Sequence, residues 1–282
     1  MANVLTHLSD YQFWRDEKLA KAASKLDPCI VDIHNPLTLT PAEKSKIQSL
    51  CQQNNFALIQ TQTQADYSHS IVRLNQQLGL NAYDDHLFVN NDTLAHITPT
   101  NNPQQSEFIP YTNKPIGWHT DGYYNPPEQR IRSFSLFCVN PASSGGENSW
   151  LDNDILYILL RQQNPEAAEL LTRTNAMTIP AHCENGKTLR PESTGAIFMQ
   201  DNKRLYLRYT QRKKNVQFAH EVRAAVTLLD EILAKGSAYH FQHLMAQNQG
   251  IVCNNVIHKR SGFVEDKGNS RLLLRGRYFD RV

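Results

Sequence analysis

No stretch of this chain stays apolar for the roughly 20 positions that a helix needs to cross a bilayer, so a membrane-spanning helix is not expected. Charge of one sign is equally missing. The 29 Lys and Arg are offset by 27 Asp and Glu, whereas binders of nucleic acid or anionic membranes concentrate basic charge; neither partner is expected. Cysteine is sparse: Cys29, Cys51, Cys138, Cys183 and Cys253 are scattered, odd in number and nowhere spaced as CxxC. That argues against a disulfide framework or zinc ribbon and fits free, mostly buried thiols in a reducing compartment. Near the N-terminus, Asp10 and Arg15 interrupt the apolar residues too early for a signal peptide, and a cytoplasmic protein is expected. Internal repeats and low-complexity blocks are absent as well.

What is present is an ordinary globular pattern. The 282 residues can bury a sizeable core, and with no linker in view one domain over 1–282 is the simplest organisation. Thr40 can cap a helix running to Asn54, with Pro41 at its first position. Phe56–Gln60 reads as a strand and Ala65–Leu78 as a helix. Asn90–Asn113 is rich in Asn, Thr, Pro and Gln, too polar for core, and reads as a loop bordering a binding site. Ser133–Val139 alternates as a strand does. Two short helices are expected between Asn153 and Leu171, strands at Gly195–Met199 and Arg204–Tyr209, and a long helix over Val216–Lys235. Gly250–Cys253 and Arg271–Tyr278 complete a chain that is mainly β with flanking α-helices.

Gly117-Trp-His-Thr-Asp-Gly122 carries the first chemical signal. On a strand, side chains two apart share a face, so His119 and Asp121 can reach one metal ion. His258, ending Asn254-Asn-Val-Ile-His258, supplies a second imidazole. Two His and one carboxylate on one face of an octahedral ion leave three positions open, the pattern of non-haem Fe(II) oxygenases. An isolated His-x-Asp is weak evidence, since a surface strand can carry both residues as simple hydrogen-bonding groups.

Arg271-Leu-Leu-Leu-Arg275 strengthens it. On a strand, Arg271, Leu273 and Arg275 share one face and Leu272 and Leu274 the other. Such a strand is buried, and buried guanidinium groups require anionic partners. Local acids such as Glu265, Asp266 or Asp280 could serve either arginine singly. A planar guanidinium is also suited to gripping a ligand carboxylate bidentately.

Taken in order, Trp118-His-Thr-Asp121, Gly145-Gly-Glu-Asn-Ser149, Asn255-Val-Ile-His258 and Arg271-x-x-x-Arg275 resemble the taurine dioxygenase/clavaminate synthase-like (TauD/TfdA) branch of the Fe(II)/2-oxoglutarate-dependent dioxygenases. The resemblance is clearest over 118–278, with the N-terminal third fitting loosely as a lead-in. It implies a double-stranded β-helix, or jelly-roll, with helices outside. By position, His119, Asp121 and His258 would hold the iron, Arg271 the distal carboxylate of 2-oxoglutarate, and Arg275 the substrate or the same anchor. Asn148 stands where many relatives place a Thr that helps bind 2-oxoglutarate. The implied chemistry consumes O₂ and 2-oxoglutarate, releases succinate and CO₂, and oxidises a C–H bond of a small substrate. Asp121 favours hydroxylation, desaturation or cyclisation over halogenation, because related halogenating enzymes lack that carboxylate.

Other residues admit two readings. Tyr123 and Tyr124 follow the metal motif and could line a substrate pocket or pack beneath its rim. Arg208, in the basic run Arg208–Lys214, could reach a substrate or face water. Arg275, Arg277 and Arg208 together make an anionic substrate the expectation. His240 and His243 lack the companions of a second metal site, and His182-Cys183-Glu184 lacks a base for a Cys nucleophile. Two other classes stay open: a zinc hydrolase on the same three ligands, and a catalytically silent cupin-like binding protein. A homo-oligomer is compatible with all three.

Overall fold

The computed structural model describes every residue except 1–4, 6, 86, 87, 185, 267 and 269. Part of the segment read above for a signal peptide, and Asn185 of the hairpin region, lie outside the described residues. Two antiparallel sheets face each other. The larger runs in the order Ile30–Ile33, Phe56–Thr61, Gln249–Cys253, Ser133–Asn140, Leu272–Tyr278, Ala95–Ile97, with only the first pair parallel. The smaller runs Phe241–His243, Asn148–Leu151, Ile257–Arg260, Ile116–His119.

Aromatic side chains close the space between the sheets. The Phe56 ring lies edge-on to Trp150 at 5.5 Å and to Phe241 at 5.2 Å, and Cys29, Phe134, Ile251, Cys253, Val256 and Leu273 fill the same core. Burying each large apolar side chain is worth about 1.5–3 kcal/mol against leaving it in water. The outer face of the larger sheet is covered by two helices, Pro41–Asn54 and Tyr67–Gln77, through Ile47, Cys51, Ile71 and Leu74. Thr40 and Glu43 form a reciprocal capping box at the start of the first. Asn55 and Gly79, both at positive φ, follow the two helices. A third cluster packs Leu8–Lys21, Asn153–Gln163, Pro165–Leu170 and Arg223–Lys235 around the hairpin Phe198–Asp201/Arg204–Leu207.

Several expected elements shift. The long helix begins at Arg223 rather than Val216, because Gln217–Phe218 pairs as a strand with Met177–Thr178. The polar loop after Asn90 contains an edge strand, Ala95–Ile97, and a short helix, Pro103–Ser106. Strands that the sequence reading did not expect include Ile30–Ile33, Ala95–Ile97, Asn148–Leu151, Phe241–His243 and Ile257–Arg260. His182–Glu184 pairs with Lys187–Arg190 as a hairpin. Among the described residues no helix is long and apolar enough to cross a membrane.

Candidate active site

The strand ending at His119 pairs antiparallel with the strand carrying His258, and the two histidines are register partners. Their rings stand 4.3 Å apart. The strand stops at His119, so Asp121 is not on it as expected. Thr120 instead donates its backbone N–H to Tyr209 O, and Asp121 lies in the following turn. Gly122 sustains that turn at φ +65°, where a Cβ would meet Ile131 Cγ1 at 2.3 Å. The turn still brings Asp121 Oδ1 to 3.8 Å from His119 Nε2. One ligand atom from each of His119, Asp121 and His258 lies within 4.8 Å of the others.

The hydrogen bonds fix which atoms face inward. His119 Nδ1 is 2.9 Å from Gly117 O, and His258 Nδ1 is 2.9 Å from Val256 O. A carbonyl only accepts, so each Nδ1 carries the proton and each Nε2 presents a lone pair to the site. Burial, with His258 alongside, pushes the His119 pKa down to about 3, and burial likewise lowers that of His258. Burial opposes ionisation of Asp121, yet Arg275 and then His258 hold its carboxyl below the usual range. Asp121 Oδ2 is buried and has no hydrogen-bond partner. Two neutral imidazoles and a carboxylate whose Oδ2 has no other partner suit a divalent first-row cation.

Asn255 stands in one of the motifs read from the sequence, but its role was not read there. Its side chain accepts from Asp121 N at 2.9 Å and donates to Asp121 O at 2.9 Å and Ile131 O at 2.6 Å. It thereby ties the Asp121 turn to the segment leading to His258. Behind it, Asn153 donates to Asn255 O and accepts from Ile257 N. The signal was the polar pair Asn254-Asn255 standing before a buried strand. Asn255→Leu is expected to leave three backbone groups unpaired and to lower stability by about 2–4 kcal/mol. Thermal denaturation reads this directly, and an unchanged melting temperature would contradict it.

Two cavities meet at the ligands. One is lined by Asn148, Arg260, Arg271 and Leu273 together with His258. The other is lined by Tyr123, Tyr124, Arg212 and Arg277 together with Asp121. His119 and Arg275 border both. In the first, Arg271 is 4 % exposed and stacks over the Phe263 ring at 4.9 Å. Burial pushes its pKa down to about 10, as it would for a guanidinium awaiting an anion. Glu265, a candidate partner, accepts from the Arg271 backbone N–H instead. Arg260 spends its guanidinium on the carbonyls of Pro110, Thr112 and Lys114, pinning the loop above.

In the second cavity Tyr123 lines the wall, and Tyr124 Oη accepts from Arg277 Nη1 at 2.8 Å. Arg277 also pairs with Asp84. Arg208, expected at the substrate, is not in this wall. Its guanidinium is buried behind it, donating to the carbonyls of Tyr123, Met177 and Ser193. With bonds to these carbonyls and to the Ser193 hydroxyl, it positions the Tyr123 segment. His243 lies on the edge strand Phe241–His243 and His240 just before it, packed on Trp118, and among the described residues neither joins the ligand cluster.

Two facing sheets with two imidazoles and one carboxylate converging between them are an arrangement that mononuclear non-haem iron oxygenases use. The chain belongs to the taurine catabolism dioxygenase TauD, TfdA family, whose model matches residues 16–277. A curated relative, uridine-5′-phosphate dioxygenase from Streptomyces sp., is 28% identical over 178 residues, covering 58% of this chain and 62% of that one. The chain thus spans less than two thirds of that relative. Among solved structures, an asparagine oxygenase complexed with Fe(II), 3-hydroxyasparagine and succinate superposes with a TM-score of 0.63 at 11% identity, covering 85% of this chain and 79% of that one. PvcB from Pseudomonas aeruginosa superposes at 0.62 and 16% identity, covering 89% and 85%. OrfP, with Fe, succinate and (3S)-hydroxy-L-Arg, superposes at 0.63 and 14%, covering 85% and 81%. At such identities the likeness is one of fold, the double-stranded β-helix.

Proposed function

We propose that this protein is an Fe(II)- and 2-oxoglutarate-dependent dioxygenase that oxidises a C–H bond of a small anionic molecule, with release of succinate and CO₂. The observation that carries it is the ligand set: two Nε2 lone pairs fixed inward by carbonyl partners, beside a buried carboxylate oxygen with no partner of its own. Bound iron and 2-oxoglutarate supply an oxidising power that side chains lack.

The protein's own part is to hold and orient. His119, Asp121 and His258 would hold the ion through two imidazole nitrogens and a carboxylate oxygen. Arg271 takes the distal carboxylate of 2-oxoglutarate, for which a fork of buried N–H donors is suited. Asn148, in the same cavity, offers its amide where relatives carry a hydroxyl. Arg275, bordering both cavities, serves the substrate side or the same anchor. Tyr123 and Tyr124 form the substrate wall, which Arg208 braces from behind. The four buried free thiols, Cys29, Cys51, Cys138 and Cys253, suit a cytoplasmic setting, and residues 1–282 serve as one dioxygenase unit.

Anaerobic addition of Fe(II) and 2-oxoglutarate to metal-free protein is expected to produce the visible charge-transfer band of chelated iron. Tight zinc binding without that band would replace this reading by a zinc hydrolase. Failure to bind any metal would leave a silent binding protein.

A further inference from the structure

The walls of the substrate-side cavity are unbalanced in charge. Arg212, Arg275 and Arg277 line it, and among its described lining residues Asp121 is the only carboxylate. Asp121 faces the ligand cluster, and Arg277 is neutralised by Asp84. Arg275 reaches Asp121 Oδ1 only at 3.5 Å, and its buried Nε has no partner. Arg212 is the least committed of the three. Its side chain forms no hydrogen bond or ion pair among the described residues, and it stands exposed at the cavity's outer end.

Its position is set by the backbone. Thr210 bridges His119, and Gln211 N donates to Trp118 O, so the segment runs alongside the metal-ligand strand. The Thr210 hydroxyl accepts from Arg212 N at 3.2 Å and fixes the turn at which Arg212 leaves the cavity. Exposed Lys213 and Lys214 follow in the chain and add to the positive charge of this segment. A cationic rim over partly apolar walls raises the local concentration of anions. An ammonium group entering the same space would lose water without gaining an anionic partner.

We propose that the substrate is an organic anion carrying no ammonium group, and that Arg212 grips its outer, anionic end. This rests on the dioxygenase reading and narrows it. It also sets the chain apart from the neighbours whose structures hold hydroxylated asparagine or arginine, since a free amino acid brings an α-ammonium with it. Arg212 is then a specificity-determining residue for charge, acting at binding, with Tyr123 and Tyr124 against the body of the molecule.

The test is a matched ligand panel. Phosphate monoesters such as uridine 5′-phosphate and simple sulfonates are set beside their neutral parent alcohols, and beside L-asparagine and L-arginine. Binding is followed by calorimetry on the metal-free protein, and by perturbation of the charge-transfer band in the anaerobic Fe(II)/2-oxoglutarate form. Anionic members are expected to bind at least about tenfold tighter than their neutral parents, with affinity falling as salt rises. Arg212→Ala should lose about 10- to 100-fold in anion affinity and leave the neutral compounds unchanged. Arg212→Lys should restore part of the loss. A preference for the amino acids or neutral parents, an Arg212→Ala protein with full anion affinity, or no anion bound at all would each overturn the proposal. Absence of the band in wild type would instead overturn the dioxygenase reading, and calorimetry would still score the charge preference by itself.

Discussion

His258→Ala is expected to yield a folded protein that binds no iron at micromolar Fe(II) and shows no turnover. The fold should survive because the strand's ladder bonds to Asn148–Leu151 and Ile116–His119 use backbone groups only. What is lost is one of two inward lone pairs, and the packing of the ring against Phe134 at 4.8 Å and His119 at 4.3 Å. The remaining His119 and Asp121 offer two donors, too few to hold the ion against water. The drop in iron affinity should therefore exceed the roughly 10- to 100-fold that outer hydrogen-bonding changes cost at metal sites. His119→Ala should behave alike. Anaerobic equilibrium dialysis with iron quantitation, beside circular dichroism to confirm folding, decides the matter. A folded variant that retains one iron per chain would refute the assignment.

Arg271→Leu separates the second role from the first. Leucine covers the Phe263 ring and leaves all three metal ligands in place, so iron should stay bound. The requirement for 2-oxoglutarate should rise about 10²- to 10³-fold, the loss of a charge-assisted, bidentate grip in a desolvated cavity. Lysine at the same position should recover little of it, since a point charge cannot reproduce the planar fork. The 2-oxoglutarate dependence of the charge-transfer band gives the affinity without a substrate. Equal loss of iron in this variant would show Arg271 to be structural.

Much of this site was legible because its residue types are chemically unusual in their setting. His119, Asp121 and His258 do meet, and Arg271 and Arg275 do border one cavity beside them, although the strand begins at Leu272, one residue after Arg271. The turn at Asp121 was not legible, since the bond that ends the strand comes from Tyr209, 89 residues away. Arg208 misled for a related reason. A basic side chain near a pocket looks the same in sequence whether its acceptors belong to a ligand or to the backbone of Tyr123, Met177 and Ser193. The helices over the larger sheet were readable from composition and spacing, and the first from its cap at Thr40. The smaller sheet was not, because strands that line a polar cavity lack the alternation that marks them: Ile257-His-Lys-Arg260 holds a single aliphatic residue. The early part of Val216–Lys235 followed its tertiary neighbour into a strand despite helical spacing.

His119 and Arg275 are walls of two rooms at once. A ligand that changes the position or charge of Arg275 from one side alters what the other side offers. The two occupancies are then one linked equilibrium: whatever factor the substrate adds to the affinity for 2-oxoglutarate, 2-oxoglutarate must return to the substrate. A single shared guanidinium is enough to make the co-substrate an effector of substrate choice.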